Sequence, residues 1–229
     1  MGGRLSVDLV AFDLGGTTVR DEGVVPYALQ RALEPLGIHP TEEDVMAVRG
    51  MNKRSAIATL IHRVTTDNRG ADAAIDLAYE RFVAALHAAY LEGPVQAAEG
   101  AEALFNWLRE RSAKVAITTG FDRSTRELIL RRLGWDDGRL DAVVGGDDVS
   151  AGRPAPYMLF HAMELTNVQS VQRIAAIGDT VADLEAGTNA GAAFVVGVLG
   201  GAHGLDLLGG ARHTHIIGSL NALSTILTI

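Results

Sequence analysis

Two hydrophobic periodicities divide this chain. Residues 7–12, VDLVAF, form a short apolar and β-branched run that stops at an acidic, glycine-rich turn, which predicts a buried strand. From 26 to 91 the apolar positions instead recur at helical spacing, in segments 26–36, 41–48, 54–64 and 71–91, with no convincing strand among them. Pro26 suits a first helical turn, and Thr41 followed by Asp44 has the form of a capping box with Asp in the Glu position. Beyond EGPV the two periods alternate. Helices are predicted over 99–111, 124–133 (closed by Gly134), 154–165 and 181–190, with a last one at the C-terminus. Strands are predicted over 114–118, 140–144, 174–177, 194–198 and 215–217. Such alternation predicts an α/β fold, a Rossmann-like doubly wound parallel sheet with helices on both faces. The helical segment reads as an insertion, so we divide the chain into an α/β core, 1–20 with 96–229, and an all-helical domain, 21–95.

Ligands of such sheets bind past the carboxyl ends of the strands. The residues there are Asp13, Gly15, Gly16 and Thr17 after the first strand, and Thr119 and Gly120 after the second. Asp147, Asp148 and, further on, Arg153 follow the third, and Asp179, Thr180 and Asp183 follow the fourth. Clustered Asp residues without His or Cys favour a hard cation such as Mg²⁺. Asp179 and Asp183 are four apart at a helix start and share one face; helix capping alone also accounts for acids there. Capping does not account for Asp13 at a separate strand end.

Composition narrows the classes. The 229 residues are 48% hydrophobic, ample for one core with a smaller inserted domain. The net charge is −8 and no basic stripe is visible, so nucleic acid and anionic membranes are not expected partners. A phosphorylated metabolite then requires a metal ion or a few local cations. With no cysteine, thiolate catalysis, disulfides and zinc–thiolate sites are excluded. No apolar run approaches the roughly 20 residues of a membrane span, and there is no signal-peptide hydrophobic region. MGGRLS matches a loose myristoylation pattern at Gly2 and Ser6, but no second lipid signal supports it. A cytoplasmic protein, monomeric or homodimeric, is the expectation.

The stretch VAFDLGGTTVR admits two chemistries: a loop cradling the phosphates of ATP, or a carboxylate, Asp13, that takes a phosphoryl or phosphono group onto itself. In the second, Asp13 attacks phosphorus to give an acyl phosphate that water cleaves. Backbone N–H groups at Gly16 and Thr17 would approach the phosphoryl oxygens, with the Thr119 hydroxyl and the fixed charge of Arg153 holding them. Asp147 and Asp148 either hydrogen-bond the loop carrying Arg153 or face solvent. Trp107 and Trp135 are expected in the core or at its edge. His213 and His215 read as a polar strand face, with zinc the weaker alternative.

Four segments, DLGGTTV, ITTG, GRPAP and GDTVADLEAG, resemble in order the four motifs of the haloacid dehalogenase superfamily, and the resemblance covers nearly the whole chain. It implies a helical cap that closes over the site, Mg²⁺ held by Asp13, Asp179 and Asp183 with the backbone carbonyl of Gly15, and substrate contacts from Gly120. DLGGTTVR also resembles the phosphate turn of actin-like sugar kinases, whose second phosphate motif and adenosine motif are missing here. Most superfamily phosphatases carry an acid two residues after the nucleophile; this chain has Gly15, and general acid catalysis is typically worth 10²–10⁴-fold. Phosphonoacetaldehyde hydrolase and its relatives work without that acid, through a cap lysine that forms a Schiff base with the aldehyde. GGTTV, TTGF, GRPAP and RGMNK resemble that branch, which marks Lys53 as the amine and Arg49 as a substrate contact. To act near pH 7, Lys53 must lose roughly 2–3 pKa units through burial or like charge, Arg49 and Arg54 being the neighbours in sequence. The branch's histidine, cysteine and tyrosine around the lysine correspond here to Ala56, Gly23 and Phe121. The expected activity is therefore phosphonatase-like hydrolysis of a small phosphonate or phosphate, with an ordinary phosphomonoesterase or a non-catalytic binding protein as alternatives.

Overall fold

A computed structural model describes residues 6–64, 70–227 and 229; Gly2 of the lipidation pattern lies outside them. Six parallel strands make one sheet in the order β3-β2-β1-β4-β5-β6. They are β1 (Leu9–Asp13), β2 (Lys114–Thr119), β3 (Ala142–Gly145), β4 (Ile174–Gly178), β5 (Phe194–Val198) and β6 (His215–Ile217). All five β1 residues are buried, as a central strand covered on both faces requires. Side chains alternate across it. Val10 and Phe12 join the cluster built with Leu104, Phe105 and Leu108 of α5 (Ala101–Glu110) and Ile129 of α6 (Arg123–Leu133). Leu9 and Ala11 face Met158, Leu159 and Ala162 of α7 (Tyr157–Thr166). Phe105 sits edge-on between Phe12, 5.4 Å away, and Trp135, 5.1 Å away, contacts worth about 0.5–1.5 kcal/mol each beyond burial. Trp135 spends its indole N–H on Glu102, at 2.8 Å, so it belongs to the core. Trp107 is at the edge, under the Arg111 guanidinium. His215 stacks on Phe194.

Between β1 and α5 lie α1 (Val24–Leu33), α2 (Glu42–Ala47), α3 (Lys53–Val64) and α4 (Ala71–Glu92). Both halves of the Thr41–Asp44 capping box are formed. The helix expected over 26–36 ends at Leu33 and continues as a 3₁₀ turn, Glu34–Leu36, because Pro35 has no N–H for an α-helical bond and disfavours helix before it. The helix expected from 154 begins at Tyr157; the Gly-Arg-Pro-Ala-Pro segment turns first. The sequence pattern missed α9 (Leu205–Gly210), six residues between glycines. The remaining helices are α8 (Val181–Ala190) and α10 (Leu223–Ile226), the latter after a 3₁₀ turn over Leu220–Ala222. No described helix is long and apolar enough to cross a membrane.

The strand order reverses between β1 and β4, and a crevice forms at such a switch point. Asp13 closes β1 and Asp179 follows β4, so the topology delivers these acids to adjacent places.

Candidate active site

Asp13 is 6% exposed at its strand end. Its Oδ1 lies 2.6 Å from Nη1 of Arg153, and the same nitrogen is 2.8 Å from Oδ1 of Asp183. Nη2 of Arg153 donates to the carbonyl and the hydroxyl of Thr118, at 2.8 and 2.9 Å. Thr118, which sequence reasoning passed over, thus fixes the guanidinium that bridges two carboxylates. Burial works against the Arg153 charge, but Asp183 and Asp13 outweigh it and push its pKa up.

Asp183 serves two ends. As the third residue of α8 it completes a capping box, its Oδ2 accepting the Thr180 N–H at 3.0 Å and hydroxyl at 2.5 Å. Its other oxygen faces Arg153. Capping and site membership are therefore not alternatives here. Asp179, fully buried, accepts the Thr17 hydroxyl (3.0 Å) and the Ala202 N–H (2.6 Å). Gly16 and Gly201 press on it so closely that a Cβ on either would lie 2.2 Å from its Oδ2. The pKa values of Asp179 and Asp183 are both raised by burial; Asp13 adds to this, while Arg153 opposes it at Asp183.

Gly16 requires a correction. Its N–H is spent on the Val19 carbonyl at 2.7 Å and is not presented to a phosphoryl oxygen. The Thr17 hydroxyl is held by Asp179, while the Thr17 N–H has no hydrogen-bond partner among the described residues. Thr119 does line the pocket beside Asp13; its oxygen accepts the Phe121 N–H at 3.3 Å, which leaves the hydroxyl proton to donate. Asp147 and Asp148 hold Arg126 and Arg123, with Asp148 also accepting the Gly145 N–H, and do not bond the loop carrying Arg153.

The helical insertion supplies the other wall. Residues 50–53 dock on glycines at the strand ends: a Cβ on Gly120 would lie 2.4 Å from the Met51 carbonyl oxygen, and one on Gly146 would meet Asn52 at 2.6 Å. Arg49 pairs with Asp21, a partner the sequence did not point to. Lys53, 9% exposed, has its Nζ 5.2 Å from the Phe121 ring centroid. Its pKa is lowered to about 8, first by burial and then by Arg49, with Asp13 pulling back and Arg153 adding repulsion. That depression costs about 3 kcal/mol of folding free energy at pH 7. Arg54, the other cation beside Lys53 in sequence, pairs with Asp76 at the surface, and the repulsion beyond that of Arg49 comes from Arg153. Tyr90 at the end of α4 also lines the pocket, and burial raises its pKa to about 12. No local motif marks Tyr90; only the packing of α4 brings it here. The space among these groups is small, about 30 Å³.

Arg153→Met tests the carboxylate pairing. Removing one partner of a buried ion pair typically costs 3–5 kcal/mol, and we expect a loss of that order in denaturant titrations at pH 7.5. Without the cation the folded carboxylates hold their protons to higher pH than in the unfolded chain. The deficit should therefore shrink as pH falls toward 5. An unchanged or growing deficit at low pH would contradict the pairing.

Residues 7–191 match the family described as haloacid dehalogenase-like hydrolase. Over 213 residues the chain is 30% identical to a phosphonoacetaldehyde hydrolase of Bacillus cereus, covering 89% of this chain and 80% of that one. Among solved structures, a hydrolase from Pseudomonas syringae superposes with a TM-score of 0.84 at 22% identity, over 96% of this chain and all of that one. A phosphonoacetaldehyde hydrolase-like protein from Oleispira antarctica does so at 0.83 and 20%, over 96% and 91%. The last two likenesses establish the fold.

Proposed function

The chain belongs to the haloacid dehalogenase-like hydrolases, in their phosphonatase-like branch, and from that premise we propose that it cleaves a small phosphonate, phosphonoacetaldehyde or a near analogue, through an aspartyl phosphate on Asp13. The carrying observation is Lys53: a buried amine with a pKa of about 8, walled into one pocket with Asp13, Arg153 and Thr119. Its neutral form adds to the aldehyde and loses water to give an imine. Protonated, that imine accepts the electron pair of the breaking C–P bond. Asp13 attacks phosphorus with Oδ2, which has no hydrogen-bond partner among the described residues, while Arg153 holds Oδ1. The products are an acyl phosphate and an enamine. Water hydrolyses the first to phosphate; protonation at carbon and hydrolysis of the second release acetaldehyde and restore Lys53. No alkoxide leaves, so Gly15 is no handicap.

The donor set fits magnesium. Three carboxylates are buried here, two of them bridged by the Arg153 guanidinium, and the Gly15 carbonyl accepts no hydrogen bond among the described residues. No three acidic or imidazole side chains among the described residues form a ready-made cage. A small hard cation does not need one, taking one or two carboxylates with water and backbone oxygen. Asp13, Asp179 and the Gly15 carbonyl would hold it, with Asp183 beside them. The ion would offset the repulsion between Asp13 and the phosphono group. Residues 21–95 would act as the cap: they wall a small pocket of about 30 Å³, and lifting of α2 and α3 from the strand ends would widen it for substrate.

A second reading is favoured by what surrounds the amine. Among the described residues Nζ of Lys53 meets the Met51 carbonyl, at 3.4 Å, and the Phe121 ring face, neither of which is a titratable proton acceptor. A phosphate ester could then be the substrate, with the protonated Tyr90 hydroxyl or Lys53 assisting the leaving group. Borohydride separates the two. We expect inactivation that requires phosphonoacetaldehyde, labels Lys53, and quickens with pH up to about 8 as the neutral amine fraction grows. Turnover of phosphate esters with no aldehyde-dependent trapping selects the ester reading.

A further inference from the structure

His203 takes no part in the steps above, yet its imidazole is 7% exposed and both ring nitrogens are engaged. The Val181 N–H, in the first turn of α8, donates to Nδ1 at 3.0 Å. A ring nitrogen that accepts carries no proton, so the proton is on Nε2, which donates to the Met46 carbonyl in the last turn of α2 at 3.2 Å. That carbonyl also accepts the Arg49 N–H, at 3.2 Å. One ring thus joins the start of a core helix to the turn that carries Arg49. The backbone of the same loop clasps Asp179. The His203 N–H donates to the Asp179 carbonyl at 3.1 Å and the Ala202 N–H to its carboxylate at 2.6 Å.

We propose that His203 is a positioning residue, a neutral strut between the loop that orients Asp179 and the segment that brings Arg49 and Lys53 over it. Seating the helical insertion and placing the metal-side carboxylate then become one event. The ring does this without touching substrate. An exposed lysine would not serve, because its ammonium only donates, whereas the strut must accept on one side and donate on the other at a fixed separation. This role rests on the reading of 21–95 as a cap, so its test needs a readout independent of turnover.

Two amides divide the strut. In His203→Asn the side-chain oxygen falls near the place of Nδ1 and keeps the Val181 bond but stops short of Met46. In His203→Gln the amide nitrogen reaches the place of Nε2 and keeps Met46 while giving up Val181. A net hydrogen bond is typically worth 0.5–1.5 kcal/mol, so amide exchange is expected to quicken about 3–10-fold on the freed side alone. For asparagine this is at Val48, Arg49 and Met51; for glutamine, at Val181. On phosphonoacetaldehyde, asparagine should raise KM about 3–10-fold with kcat nearly kept, and glutamine should lower kcat by a similar factor. Imidazole ¹⁵N shifts of the wild type should show the proton on Nε2. Equal exchange in both variants, or a proton on Nδ1, overturns the strut. If phosphonoacetaldehyde is not turned over, the function proposed above fails, while exchange and the ¹⁵N shifts still decide the role of His203.

Discussion

Asp13→Asn is expected to abolish phosphate release, by about 10⁴-fold or more, in a protein that still folds. An amide oxygen is a poor nucleophile toward phosphorus and cannot form the acyl phosphate; removing a covalent nucleophile costs factors of this size or larger. The fold should survive because Asn has nearly the volume of Asp, and Arg153 keeps Asp183 and Thr118 as partners. One anion fewer beside Asp179 and Asp183 also relieves the repulsion that raises their pKa values. Thermal unfolding should therefore show no loss of melting temperature in the absence of divalent ions. Magnesium at 100 times its Kd should stabilise the wild type by about 2.7 kcal/mol, and the variant by clearly less, since a ligand has gone. A variant that keeps a tenth of the wild-type rate would remove Asp13 from the mechanism.

Lys53→Arg should separate the two candidate chemistries. Arginine keeps the charge and most of the length, but it is never neutral near pH 8 and forms no Schiff base with an aldehyde. We expect cleavage of phosphonoacetaldehyde to fall by about 10³-fold or more and borohydride trapping to vanish. Hydrolysis of any phosphate ester should change less than about tenfold, because a cation still faces the pocket. The substitution also has a stability signature with a definite sign. The folded-state pKa of Lys53, about 8, lies below the ordinary value of 10.5. Between those values the unfolded chain binds the extra proton, so wild-type stability rises with pH across that window. Arginine cannot shed its proton, so the gap between wild type and variant should widen from pH 8 to pH 10. An unimpaired variant on phosphonoacetaldehyde would rule out the imine.

Much of the site was legible because its parts are local. The β1 run and its glycine-rich turn, the Thr180–Asp183 capping box and the regular alternation after residue 96 each lie within a few residues. Helical and strand periods report burial directly. Ligands of a parallel sheet bind past the carboxyl ends of its strands, so the sequence places Asp13, Asp179 and Asp183 at one edge; the order of the strands came from the tertiary structure. The Gly16 N–H misled because a glycine-rich turn has the same sequence whether its amides face a ligand or its own backbone. For Gly16 the Val19 carbonyl won.

By itself the sequence determined the alternating α/β core, the helical insertion, and the acids, hydroxyl and cations available at the strand ends, since these depend on residue type and spacing along one chain. Only the tertiary structure decided the pairings. Thr118 rather than a loop group anchors Arg153, Arg153 rather than Arg54 presses on Lys53, and Tyr90 and His203 enter from elements far away in sequence. The physical reason is that desolvation and Coulomb forces depend on distance in space and on burial, which chain spacing does not specify.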